Sequence, residues 1–142
     1  MEQINFIVPG KPVGKERPRV IRRGGRTIVY TPKKTVKYEN LVRKCFHDVA
    51  NGESFTKGAM LFMTAVAYFK IPKSTSKKKM ELMLQGKIRP IIKPDYDNIG
   101  KVVTDALNKI AYHDDAAVVD GFVRKFYSDI PRVEVKVEEL KY

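Results

Sequence analysis

Lys93-Pro94-Asp95-Tyr96-Asp97-Asn98-Ile99-Gly100-Lys101, with Asp105 shortly after and the pair Asp114-Asp115 beyond, sets carboxylates and one lysine inside a chain that is otherwise strongly basic. Pro94 disfavours helical backbone at the residue before it, so the chain is expected to run into Asp95 extended. Alternate residues of extended backbone share a face, which would put Asp95 and Asp97 on one side and Tyr96 on the other. Asp97 or Asn98 then supplies a cap for a following helix. Asp97, Lys101 and Asp105 recur at intervals of four and stack along one flank of that helix. Asp95, Asp97 and Lys101 are therefore expected to meet at the helix start, with Asp105 one turn further on. Carboxylates held together repel, and each is costly to keep ionised without a counter-charge. A hard cation answers this: Mg²⁺, or Mn²⁺ in its place, takes a few carboxylate oxygens and keeps positions open for phosphate. Such a metal activates water and offsets charge on a phosphodiester, and Lys101 would add a positive charge to the same oxygens. The same residues also read as a plain helix cap followed by surface ion pairs, with Asp114-Asp115 as a turn. Spacing alone leaves both readings open.

The background charge favours the first. The sequence holds 28 Lys and Arg against 16 Asp and Glu, a net +12. That excess favours a polyanionic partner, nucleic acid above all. No apolar run reaches membrane-spanning length, and Met1-Glu2-Gln3-Ile4-Asn5 lacks a signal-peptide pattern, so no membrane partner is expected. Cys45 is the one cysteine, which rules out an internal disulfide. It reads as core in a reducing, cytoplasmic setting. A length of 142 residues fits a single domain, 1–142.

The elements that must position the acidic stretch are legible in outline. Ile4–Val8 is a short apolar run stopped by Pro9-Gly10, an expected first strand. The arm from Lys11 to Arg26 carries Lys11, Lys15, Arg17, Arg19, Arg22, Arg23 and Arg26 against a single acid, Glu16. Its prolines and glycines forbid a helix, and Gly24-Gly25 fits a hairpin turn between Arg19–Arg22 and Thr27–Tyr30. Thr31-Pro32 reads as a Thr cap with Pro in the first turn of a helix whose stripe is Tyr38, Leu41, Val42, Cys45, Phe46 and Val49. Ala59–Phe69 is apolar at nearly every position and is expected as a central strand covered on both faces, although its length alone also admits a helix. Ser74-Thr75-Ser76 caps a short helix, Lys77–Gln85, that Gly86 stops. Lys87–Lys93 is expected to be extended, with Pro90 and Pro94 marking an edge or a strand end. Ile99, Val102, Val103, Ala106, Leu107 and Ile110 form the clearest helical stripe. Ala117–Tyr127 and the alternating Val133, Val135 and Val137 give two closing strands. The expected class is α+β: a mixed sheet with helices packed on it.

Pro94-Asp95-Tyr96-Asp97-Asn98-Ile99-Gly100-Lys101, Asp105-Ala106-Leu107-Asn108, Asp114-Asp115 and Val118-Val119-Asp120 together resemble the RusA family of Holliday junction resolvases, largely of phage and prophage origin. Gly10 to Arg19, Gly-Lys-Pro-Val-Gly-Lys-Glu-Arg-Pro-Arg, is similar to the opening of many members. The resemblance implies a Mg²⁺-dependent homodimer that nicks two strands of a four-way DNA junction in recombination and repair, leaving 5′-phosphate and 3′-hydroxyl ends. By the same resemblance Asp95 and Asp97 match the first two metal-binding aspartates and Asp115 the third. Lys101 matches the catalytic lysine, and Asp105 matches a family aspartate in a supporting position. The segment Ala106–Asp114 is a residue shorter than in the best-known member, which leaves Asp114 in competition with Asp115; Asp115 is the favoured ligand.

Outside that stretch, the arm's Lys and Arg residues suit contacts to DNA phosphates, which give affinity independent of sequence. Tyr30, Tyr38 and Tyr96 have the chemistry to stack on bases, Tyr38 reading better as core. His113 lies beside the acidic pair and His47 on the basic helix, both as solvated histidines. Two other functional classes fit less of the sequence. A non-catalytic branched-DNA-binding protein of the same fold leaves the three aspartates and Lys101 without a role. A phosphohydrolase of small nucleotides leaves the basic arm without one.

Overall fold

The computed structural model describes all residues, Met1–Tyr142. Four strands form the main sheet in the order β1 (Gln3–Pro9), β6 (Arg132–Leu140), β4 (Met60–Lys70), β5 (Val118–Ser128). β1–β6 and β6–β4 pair antiparallel, and β4–β5 pair parallel. A parallel pair needs a long crossover; here it carries α2 (Lys77–Leu84) and α3 (Tyr96–Leu107). Between β1 and β4 the chain makes a separate hairpin, β2 (Arg19–Arg23) with β3 (Arg26–Tyr30), and then α1 (Lys33–Ala50). The expected α+β mixed sheet with packed helices is what the chain forms.

Alternation sorts the sheet's two faces. Ile4, Phe6 and Val8 on β1, Val133, Val135 and Val137 on β6, and Leu61, Met63, Ala65, Ala67 and Phe69 on β4 all point to one side and are buried. α1 adds Tyr38, Val42, Phe46 and Ala50, and α3 adds Ile99, Val102, Val103, Ala106 and Leu107, to make one core cluster. Each of the Val, Leu, Ile, Phe and Met side chains among them contributes on the order of 1.5–3 kcal/mol by leaving water. Gly100 lets α3 sit close to β5: a Cβ there would lie 3.1 Å from Val123 Cγ2. No helix is long and apolar enough to cross a membrane.

Five local expectations are corrected. Thr31 does not cap α1; Pro32 occupies the capping position, and no side chain bonds the exposed N–H groups. The stripe of α1 is turned from the expected one, because Thr35 and Glu39 are buried while Val49 is 47% exposed. Cys45 is half-buried at the edge of the core rather than inside it. β4 is covered on one face only: Phe62, Thr64, Val66 and Tyr68 are half-buried and Met60 is exposed. Lys87–Lys93 forms no strand. Pro90 within it and Pro94 directly after it lack N–H donors, and the segment is a loop between α2 and α3.

Candidate active site

α3 starts at Tyr96, with Asp95 in extended backbone at the capping position and Asp97 already in the first turn. The expected alternation of Asp95 and Asp97 along a strand therefore does not occur, and neither Asp97 nor Asn98 is the cap. Asp95 makes no side-chain capping bond, so its carboxylate is uncommitted, at the end of a helix whose field favours negative charge. Asp95 and Asp97 are both exposed and line one open cleft of about 480 Å³, together with Lys93, Tyr96, Lys125 and the isoleucines Ile91 and Ile92.

Lys101, one turn on, does not line that cleft. Its Nζ lies 3.7 Å from Asp105 Oδ2. The same oxygen takes Lys15 Nζ at 3.2 Å, and Lys15 also reaches Glu39 Oε2 at 3.2 Å. The expected role of Lys15 as a phosphate contact is corrected: it is turned inward, its side chain 17% exposed and that of Glu39 10%. The backbone explains the placement. Lys15 N–H donates to Asn98 O at 2.8 Å, and Gly14 lies so close to α3 that a Cβ would stand 2.7 Å from Pro94 Cβ and 3.0 Å from Asn98 Cβ. Glu16 N–H donates to Thr35 Oγ1 at 3.4 Å. Gly14–Glu16 thus straps α1 to the first turn of α3. Lys11, Arg17, Arg19, Arg22, Arg23 and Arg26 are exposed or half-exposed, with Arg19 3.7 Å from Glu16.

The chain after α3 folds back along it. Tyr112 is buried and its hydroxyl donates to Thr104 O at 2.7 Å. Burial, the largest influence, then the charges of Asp115 and Asp105, push the Tyr112 hydroxyl above its ordinary range, so it stays a donor. Asn108 Oδ1 accepts from Asp115 N–H at 3.0 Å. These bonds fasten the backbone of Asp115 to the C-terminal end of α3. Pairing with Asp114, partial burial and the charges of Asp114 and Asp105 raise the Asp115 carboxyl above its usual range, against the pull of Lys101. Asp114 is lowered by the same pairing and by Ala116 N–H, which its Oδ1 accepts at 3.5 Å. Asp114 is exposed and caps the short 3₁₀ turn Asp115–Ala117. His113 and His47 are exposed.

The arrangement therefore has two halves, Asp95 and Asp97 in the cleft and Lys101, Asp105 and Asp115 along the flank of α3. No three Asp, Glu, His or Cys side chains are close enough to hold a metal ion. The donor set still has the chemistry of a hard-cation site, since every available ligand is a carboxylate oxygen. Glu39, Asn108 and Tyr112 belong to this framework although the sequence pointed to no role for them, and Lys15 belongs to it in place of the phosphate contact expected of it. Glu39 carries a usable signal: it falls on the buried row Thr35, Glu39, Val42, Phe46, and an acid on an apolar stripe requires a cation.

Residues 9–138 match the family described as Endodeoxyribonuclease RusA. A protein of Bacillus subtilis (strain 168), named Uncharacterized protein YqaN, is 41% identical over 142 residues, covering 99% of each chain.

Proposed function

The chain belongs to the RusA endodeoxyribonuclease family, and on that premise we propose that it is a Mg²⁺-dependent nuclease that resolves four-way DNA junctions by paired phosphodiester cuts, in recombination and repair. The observation that carries the reading is the pair of exposed, uncommitted carboxylates, Asp95 and Asp97, in a cleft edged by Lys93 and Lys125 on a chain of net charge +12. Asp95, Asp97 and Asp115 would hold the metal, with Mn²⁺ an acceptable substitute. When bound, the metal supplies an activated water and offsets charge on the cut phosphate.

The protein's own groups do the rest. Lys101 would add positive charge for the phosphate oxygens; its ion pair with Asp105 holds that charge on the flank of α3 until a phosphate competes for it. Lys15, itself anchored by Glu39, holds Asp105, and Asn108 holds the backbone of Asp115. Lys11, Arg17, Arg19, Arg22, Arg23 and Arg26 grip DNA phosphates. A homodimer would set two such sites against opposing strands, leaving 5′-phosphate and 3′-hydroxyl ends.

A fixed four-way junction with Mg²⁺ tests the reading. Asp95→Asn should cut at least about 100-fold more slowly than wild type while still binding the junction. Equal rates would remove Asp95 from the metal site. A second reading is favoured by the separation of the two carboxylate halves: a branched-DNA-binding protein of this fold that does not cut. Salt-sensitive junction binding without cleavage at any Mg²⁺ or Mn²⁺ concentration would select it.

A further inference from the structure

Two isoleucines stand uncovered beside the carboxylates. Ile91 is 98% exposed and Ile92 55%, and Tyr96, on the same cleft, is 64% exposed. One exposed apolar residue needs no account, but three on the rim of an acidic cleft do. The loop that bears them is fastened on both sides. Gly86 packs against the Phe126 ring, where a Cβ would lie 3.2 Å from a ring carbon. The Arg89 guanidinium lies over that ring at 4.0 Å, and its Nε donates to Lys125 O at 2.8 Å. Lys125 Nζ donates to Ile92 O, and Pro90 is buried. The apolar tip is therefore held outward by its supports rather than hanging loose. Arg89, Lys93 and Lys125 put cations around it, the sign that suits phosphates on either side of an inserted residue.

From this geometry we infer that Ile91 and Ile92 form a wedge that enters the base stack at the branch point of the DNA, with Tyr96 stacked on a base it displaces. The inference rests on the DNA-nuclease reading of the cleft and adds a source of structure selectivity to it. Apolar side chains inserted between base steps unstack them at a substantial free-energy cost, and an aromatic ring recovers part of that cost by stacking. The cost is lowest where pairing and stacking are already interrupted. A branch point accepts the wedge and intact duplex resists it, so the carboxylates engage a phosphate only at a junction.

The test uses full-length protein and junctions carrying 2-aminopurine at the branch point, with metal chelated for binding and Mg²⁺ added for cutting. Wild type should raise the fluorescence as the base unstacks. Ile91→Ser/Ile92→Ser should lose most of that rise, keep its affinity for duplex, and cut the paired junction about tenfold more slowly. Both side chains face solvent, so the variant should fold and melt as wild type does. On a junction with unpaired bases at the crossover, its rate should return to within about twofold of wild type, because the unstacking is already done. Full fluorescence and a wild-type rate in the variant would overturn the wedge, as would equal slowing on both junctions. A variant that loses a dimeric mass which wild type shows by light scattering would also overturn it, by assigning the tip to a second copy. If wild type unstacks the base yet never cuts, the wedge holds and the nuclease reading falls.

Discussion

Two side-chain placements decide most of the chemistry. Asp115 is raised because Asp114 pairs with it and Asp105 stands near, so a proton competes with any cation there. A carboxyl whose pKa is raised on folding contributes stability at pH below its unfolded pKa and loses it as pH rises through the folded value. Metal-free protein should therefore gain more from Mg²⁺ as pH rises through that range, as the proton leaves and the paired charges need a counter-ion. Asp114→Asn removes the largest influence on Asp115 and should move the acid limb of the pH–rate profile to lower pH. A limb that stays put or moves up would show that Asp115 does not set it. Lys15 is the other decisive residue, since it answers two carboxylates at once. Lys15→Met should destabilise the fold by about 2 kcal/mol or more in a denaturant titration, because Glu39 keeps its burial and loses its cation. Adding Glu39→Gln should restore part of that; no recovery would mean that weakened packing, not the unpaired charge, is the cause.

At the level of elements, legibility depends on whether a local rule meets a competing contact. α3 is readable because Ile99, Val102, Val103, Ala106 and Leu107 keep helical spacing and all become buried. The hairpin is readable because Gly24 and Gly25 take the positive φ that its turn requires. The alternation of β6 survives because only one face meets the helices. Two corrections share a cause in tertiary contact. The stripe of α1 is turned because Glu39 is buried by a lysine from 24 residues earlier, which no window along the helix contains. Lys87–Lys93 looks extended in composition, but Arg89 and Lys125 tie it to β5 as a loop. A third is a matter of one residue. Strand alternation fails for Asp95 and Asp97 because α3 begins directly after Asp95, and Pro94 does not determine a boundary that fine. The cluster is foreseeable as a set of residues, while its division into a cleft and a helix flank is not, since Lys101 turns toward Asp105.

Over the whole molecule, charge and structure are apportioned unevenly. The four-stranded sheet, α1 and α3 supply the core, whereas β2 and β3 form a sheet of their own with every residue exposed. A lone hairpin is marginal in water, and this one has only the Val20–Val29 and Ile21–Ile28 cross-strand pairs as apolar support. It nevertheless carries Arg19, Arg22, Arg23 and Arg26 outside the core, so its charges are separable from folding. That separability can be measured. Replacing Arg22, Arg23 and Arg26 by Ser should leave the melting temperature nearly unchanged, because surface substitutions of this kind fall within about 0.5 kcal/mol each. Junction binding should weaken. The slope of log affinity against log salt should become shallower by about 0.9 for each phosphate no longer neutralised, up to roughly 2.7 for the three. The cutting rate at saturating protein should stay near wild type, since Asp95, Asp97 and Asp115 belong to other elements. An unchanged salt slope would take the hairpin off the DNA and leave the net +12 to be explained by Lys77, Lys78, Lys79 and the outer face of α1. A lower rate at saturation would instead place the hairpin within reach of the cleft.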